Sequence, residues 1–257
     1  MQPSLYLGIE ISGGRQPFTY VALDSELHLH AVGRAGLDEL LAFTSGLHTA
    51  LAALNAPSRL SLRRFQAGDQ SSAAARKGGL RLAEQQLQLP GLNLPRIPTS
   101  EDEGPLWMRR GFLLYRRLEE IGYQPFPADD APLQWLETQA EAAYWVLLDR
   151  VPLPAGSFES RLQRQLVCYD LHLPVSDPMD FFEEITRFRI RHGTLPLEHI
   201  LTGAELNAMI AAYAAWVVIK QPEKAYWLGT PEEGEIVLPE KPRQEIDTTS
   251  TERPSQE

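Results

Sequence analysis

Three glutamates stand where acids could do chemistry. Glu10 lies near the end of an alternating run, LYLGIEI. Glu137 closes the short run LQWLET, and Glu205 opens an alanine-rich stretch that also carries Asn207. Carboxylates converging from several elements can hold two divalent ions about 3.5–4 Å apart, one activating water and the other stabilising the leaving oxygen of a phosphodiester. Mg²⁺ takes such oxygen ligands while keeping several waters, and Mn²⁺ suits the same donors. Each acid also has a structural role open to it. Glu205 completes a capping box with Thr202. Glu137 is one of many acids at strand ends. Glu10, inside a first strand, is costly unless it finds a partner.

Other chemistries find no residues. The chain has no G-x-S-x-G, no phosphate loop ending in G-K-[ST], no H-E-x-x-H and no paired cysteine motif. Gly8, Gly13 and Gly14 do not make a dinucleotide fingerprint, because no G-x-G-x-x-G opens a helix there. His28 and His30 alternate along one strand face without an identifiable third ligand.

The elements that must position the acids follow from periodicity. Leu5–Gly33 reads as a three-stranded meander, with Gly13-Gly14 and Asp24-Ser25-Glu26 as its turns. The leucines of Gly36–Leu54 recur at helical spacing, which predicts one amphipathic helix stopped before Pro57. Ser58–Arg81 is the basic stretch, with Arg59, Arg63, Arg64, Arg76, Lys77 and Arg81 against Asp69 alone. It reads as a solvated loop or as a phosphate-contacting one. A short helix is expected over Gly79–Leu89 and a longer one over Leu106–Ile121, stopped by Gly122.

Next come a strand over Leu133–Thr138, a helix over Ala140–Leu148, and a helix over Ser157–Tyr169 with Ser157 as N-cap. Arg161 and Arg164 share a face of the last at i, i+3. Asp177–His192 reads as one helix, with acids early and bases late. Thr202–Lys220 is apolar nearly all round and should be buried, its small residues letting it lie close against a sheet. A final strand pair is expected at Tyr226–Leu228 and Glu235–Leu238. The domain reading is one unit over 1–239 and a disordered polar tail over 240–257.

With 257 residues and 43% apolar content, the chain can build a sizeable core. A formal net charge of -10 argues against non-specific coating of nucleic acid but leaves room for a local basic groove. The lone Cys168 forms no internal disulfide and reads as a small buried hydrophobe. No run approaches the roughly 18 apolar residues of a membrane span, and Met1-Gln2-Pro3-Ser4 does not open a signal peptide. A soluble cytoplasmic protein is expected, its oligomeric state open.

In that order along the chain, the segments resemble the family called domain of unknown function 429, described as predicted RNase H-like nucleases. The resemblance rests on Gly8-Ile9-Glu10 with Gly13, Asn55-Ala56-Pro57, Trp107–Tyr115, the L-E-T ending at Thr138, Arg161–Leu166, Asp177–Arg187, Glu205–Ala208 and Glu233–Pro239. It implies an α/β RNase H-like mixed sheet, with antiparallel strands 1–3 and then parallel strands flanked by helices. It implies Glu10 as first metal-binding acid and Glu137 as the acid of a later strand, with Mg²⁺ or Mn²⁺ as cofactor and nucleic acid as substrate.

The chain departs from that pattern at two places. Members commonly carry acids where it has Asn55, and a D-x-x-D-A-like pattern where it has Gly203, Ala204 and Asn207. A neutral amide is a poorer Mg²⁺ ligand than a carboxylate. Two function classes therefore stand side by side. One is a metal-dependent nuclease with Glu10, Glu137 and Glu205 as catalytic acids and Arg161, Arg164, Asn55 and Asn207 toward substrate. The other is an inactive module that binds nucleic acid, nucleotide or a protein partner.

Overall fold

The computed structural model describes residues 2–62 and 80–243. The alternating run at the N-terminus forms β1 (Leu5–Ile11), which pairs antiparallel with β2 (Phe18–Leu23). That strand pairs antiparallel with β3 (Leu29–Ala35). The chain then crosses through helix α1 (Leu37–Ser45) and returns as β4 (Ala50–Asn55), parallel to β1. Next come α2 (Leu82–Gln86), a 3₁₀ turn at Glu101–Glu103, α3 (Leu106–Glu120) and a two-residue strand β5 (Gln124–Pro125). Strand β6 (Leu133–Thr138) runs parallel to β4 and leads into α4 (Ala140–Leu148). Helices α5 (Phe158–Asp170), α6 (Asp180–Glu184), α7 (Arg187–Arg191) and α8 (Gly203–Lys220) follow. The hairpin β7 (Tyr226–Thr230) and β8 (Gly234–Leu238) closes the fold.

All described strands join one sheet in the order β3-β2-β1-β4-β6-β8-β7, with β5 pairing on β6. Strands 3, 2 and 1 are antiparallel, and strands 1, 4, 6 and 8 are parallel. This is the mixed sheet expected of the RNase H-like class.

Period-2 alternation assigns the two faces. Leu7, Ile9 and Ile11 pack with Ala52, Leu54 and Trp135 against Leu114 and Leu118 of α3. Tyr6, Leu51, Ala53, Leu136 and Val237 face the other way, against Ala211, Ala215 and Val218 of α8. Gly8 lies on this second face. A Cβ there would stand 1.9 Å from the Ala208 carbonyl oxygen and 2.3 Å from the Ala212 nitrogen. The alanine-rich helix expected to approach a sheet closely does so over β1. Its start is the expected capping box: Thr202 Oγ1 accepts from Glu205 N, and Glu205 Oε2 accepts from Thr202 N.

Two expected helices are corrected. Gly36–Leu54 is not one helix, since α1 ends at Ser45 and β4 begins at Ala50. Strand β4 is buried on both faces, so it carries a continuous apolar run that helical spacing cannot distinguish from a helix. Asp177–His192 is two short helices broken at Ile185, where the backbone is extended. Thr186 Oγ1 accepts from Arg189 N and so starts the second helix. A mid-run threonine that caps competes with helix continuation. Residues 63–79, most of the basic stretch, and 244–257, most of the expected tail, lie outside the described residues.

Candidate functional site

The parallel register brings the carboxyl ends of β1, β4 and β6 side by side, the edge at which open α/β sheets place ligands. Glu10 is the direct partner of Asn55, and Leu54 is the partner of Glu137. Side chains alternate, so Glu10 and Asn55 share the α8 face, while Glu137 points to the α3 face with Leu54. A pocket of about 480 Å³ opens at these strand ends. Its lining includes Glu10, Asn55, Glu137, Glu141, Asn207 and Trp107.

Glu10 is held by two amides. Asn55 Nδ2 donates to Glu10 Oε2 at 2.5 Å, and the Asn207 side chain also hydrogen-bonds the carboxylate. Each amide is anchored at its other end. Asn55 Oδ1 accepts from the Ala140 backbone N at 2.9 Å, at the start of α4, and Asn207 Oδ1 accepts from Arg164 Nη1 at 3.0 Å. Those anchors turn the oxygens away and the NH₂ groups toward Glu10. Burial pushes the Glu10 carboxyl up to about 7. The two amides pull it down, the nearby Glu141 raises it, and Arg164 lowers it.

Arg164 is almost fully buried and organises this side of the pocket. Its Nη2 donates to both oxygens of Glu141 (2.7 and 2.9 Å), its Nε donates to Ser160 Oγ at 3.0 Å, and its guanidinium lies 5.1 Å over the Tyr144 ring. Tyr144 in turn donates to the Leu206 carbonyl at 2.8 Å, tying α4 to the first turn of α8. The expected phosphate contact is thus an internal brace. Arg161 is another, donating to the carbonyls of Leu201 and Ile200 at 2.8 and 2.7 Å, and it does not line the pocket.

Glu137, expected as a metal-binding acid, is engaged elsewhere. Arg81 Nη2 pairs with Oε1, Arg81 Nη1 donates to Oε2 at 3.1 Å, and the Ser58 backbone N donates to Oε2 at 2.6 Å. Arg81 also grips Glu84 through Nε and Nη2, and donates to the carbonyls of Arg59 and Glu233. Arg81 is fully buried, with Glu84 and Glu137 nearly so. The two carboxylates hold its guanidinium pKa above the usual arginine range. In the sequence Arg81 closes a stretch that reads as a solvated or a phosphate-contacting loop, and neither Glu84 nor Glu141 stands out. No composition or spacing signal marks an arginine that tertiary pairing buries. Glu141 had one cue, its place in the first turn of a helix that follows a strand end.

Glu205 does not join the site: it sits in the capping box of α8 and does not line the pocket. Cys168 is fully buried, as expected, its thiol pushed up to about 12 by burial.

The residues present do not fit a two-metal centre. Among the described residues no group of three or more His, Cys, Asp or Glu side chains could hold a metal ion. Glu10 and Glu137 leave opposite faces of the sheet, Glu137 is neutralised by Arg81, and the oxygens of Asn55 and Asn207 are turned to other donors. What the arrangement can do is offer one oriented, half-buried carboxylate to a ligand. The apolar wall beside it is formed by Ile11, Trp107 and Ile236.

Fold and site together define an α/β protein whose pocket lies at the carboxyl ends of parallel strands. None of the protein-family models, curated proteins or solved structures compared with the chain matches it. No described helix is long and apolar enough to cross a membrane.

Proposed function

We propose that this chain is an RNase H-like binding module, which takes a ligand in the Glu10 pocket and does not cleave nucleic acid through metals. The observation that carries the reading is the pair of amides. Asn55 and Asn207, the two positions that depart from the acid pattern of the resembled family, converge on Glu10 as hydrogen-bond donors. A cluster of acids needs cations to hold it together, whereas two anchored amides hold a single carboxylate without one. The single buried thiol accords with a reducing, cytoplasmic setting.

Metal-dependent phosphodiester hydrolysis is the second reading. It is favoured by the strand order and by Glu10's place at the end of β1. One experiment separates the two: thermal unfolding with and without Mn²⁺, wild type beside Glu10→Gln, together with hydrolysis assays on single- and double-stranded DNA and RNA in Mg²⁺ and Mn²⁺. The binding reading expects no Glu10-dependent Mn²⁺ shift and no hydrolysis. A Mn²⁺ shift in wild type that Glu10→Gln abolishes, accompanied by metal-dependent cleavage, would establish the nuclease instead. An ion at about 100 times its Kd stabilises by about 2.7 kcal/mol, well within reach of the measurement.

A further inference from the structure

The chemical class of the ligand can be read from which polar groups around the pocket are already taken. This step rests on the Glu10 pocket being a binding site. A phosphate or carboxylate ligand needs arginine donors or the free N–H groups of a helix start. Among the described residues no arginine or lysine lines the pocket. Arg81 directs its guanidinium to Glu84, Glu137 and two carbonyls. Arg164 directs its own to Ser160, Asn207 and Glu141. Helix α4 begins at the pocket with two of its first three N–H groups taken, that of Ala140 by Asn55 and that of Ala142 by the Gln139 side chain, at 2.9 and 2.5 Å.

The carboxylates are distributed unequally. Glu84 and Glu137 are paired with Arg81, and Glu141 with Arg164. Glu10 accepts from two neutral amides and, among the described residues, is in no ion pair. A carboxylate offers about four lone-pair sites, and two amide N–H bonds leave acceptor capacity facing the cavity. The wall of Ile11, Trp107 and Ile236 suits a flat apolar body.

We infer that the pocket binds a planar group carrying two adjacent N–H donors, seated on Glu10, and rejects phosphates. An amidinium or guanidinium compound has this donor pair, and so does the N1–H/N2–H edge of guanine. A planar fork of N–H groups meets a carboxylate bidentately, which supplies both geometry and charge-assisted strength.

The test is thermal unfolding of the full chain at pH 8 with benzamidine, guanosine, inosine, benzoate and inorganic phosphate at millimolar concentration, wild type beside Glu10→Gln. The expected result is a rise in Tm with benzamidine or guanosine that is lost in the variant, and none with benzoate or phosphate. A response to benzamidine assigns the cationic source. A response to guanosine but not inosine, which lacks the exocyclic amine, assigns the base edge. A Glu10-dependent rise with benzoate or phosphate overturns the ligand class and leaves the binding reading standing. A Glu10-dependent rise with Mn²⁺ alone overturns both, and no Glu10-dependent rise with benzamidine or guanosine overturns the inference. Should Glu10→Gln not fold, wild type alone decides. Binding of whichever of benzamidine and guanosine raises the Tm must weaken several-fold from pH 8 to pH 6 as Glu10, flanked by Glu141 and Arg164, takes up its proton. Binding that ignores pH over that range overturns the inference.

Discussion

Glu10 and Asn55 stand opposite each other across the parallel β1–β4 pair, and the Asn55 amide donates to the Glu10 carboxylate while its oxygen accepts from the start of α4. One side chain thus fixes the orientation of the acid and ties it to a helix on the neighbouring connection. Asn55→Asp keeps the acceptor for Ala140 N but replaces the donor by a second carboxylate. Two like charges at this distance cannot both ionise cheaply. The variant is expected to lose about 1–3 kcal/mol at pH 8. Chemical denaturation with and without Mn²⁺ checks this, and recovery on adding the ion would show that the second acid makes a metal site.

Glu10 should make stability depend on pH near neutrality. Its folded carboxyl pKa of about 7 lies above the ordinary 4.5, mainly because burial disfavours the charge. Between those values the folded chain holds a proton that the unfolded chain has released, so stability falls as pH rises. Wild type should lose up to about 3 kcal/mol relative to Glu10→Gln between pH 5 and pH 8. Denaturant titrations of the two proteins across that range measure the difference, and parallel curves would contradict it.

Arg81 holds two buried acids. Arg81→Met leaves Glu84 and Glu137 without their cation in the interior, which should cost about 3–5 kcal/mol. Arg81→Lys should recover little, because one ammonium cannot reproduce the fork that reaches Glu84, Glu137 and two carbonyls together. Urea unfolding reads both. Stability of the Met variant within about 0.5 kcal/mol of wild type would show that the triad is not structural.

Gly8 sets the distance between β1 and α8. Gly8→Ala drives a methyl group into the backbone at Ala208 and Ala212, which no side-chain rotation relieves. The expected cost is at least about 2–3 kcal/mol. Because α8 also carries Asn207, the displaced helix should withdraw one amide from Glu10 and raise its apparent pKa further. A Tm measurement and a pH titration of the variant test the two effects together.

Much of the scaffold was legible in the residues. Alternation disclosed the meander, LQWLET read as the strand β6, Thr202 and Glu205 marked the start of α8, Ser157 capped α5, and the alanines of α8 foretold its close approach to the sheet. These are local signals: a period of two, a cap whose partners lie three residues apart, a stripe of small side chains. Glu10, Glu137 and Asn207 also stood out by type and position, and Asn55 through the family resemblance.

Only the tertiary structure decided how those residues relate. Whether 50–55 is helix or strand turned on its pairing with β1 and β6, since Ala and Leu serve either once both faces are buried. The one-residue offset that pairs Glu137 with Leu54 and Glu10 with Asn55 sends the two acids to opposite faces. It hands Glu137 to Arg81, 56 residues away in sequence. Asn207 reaches Glu10 because Gly8 admits α8, and its amide faces the acid because Arg164 holds the other end. Register and facing are properties of pairs far apart along the chain, so the identity of the candidate acids was written in the sequence and their partners were settled by the fold.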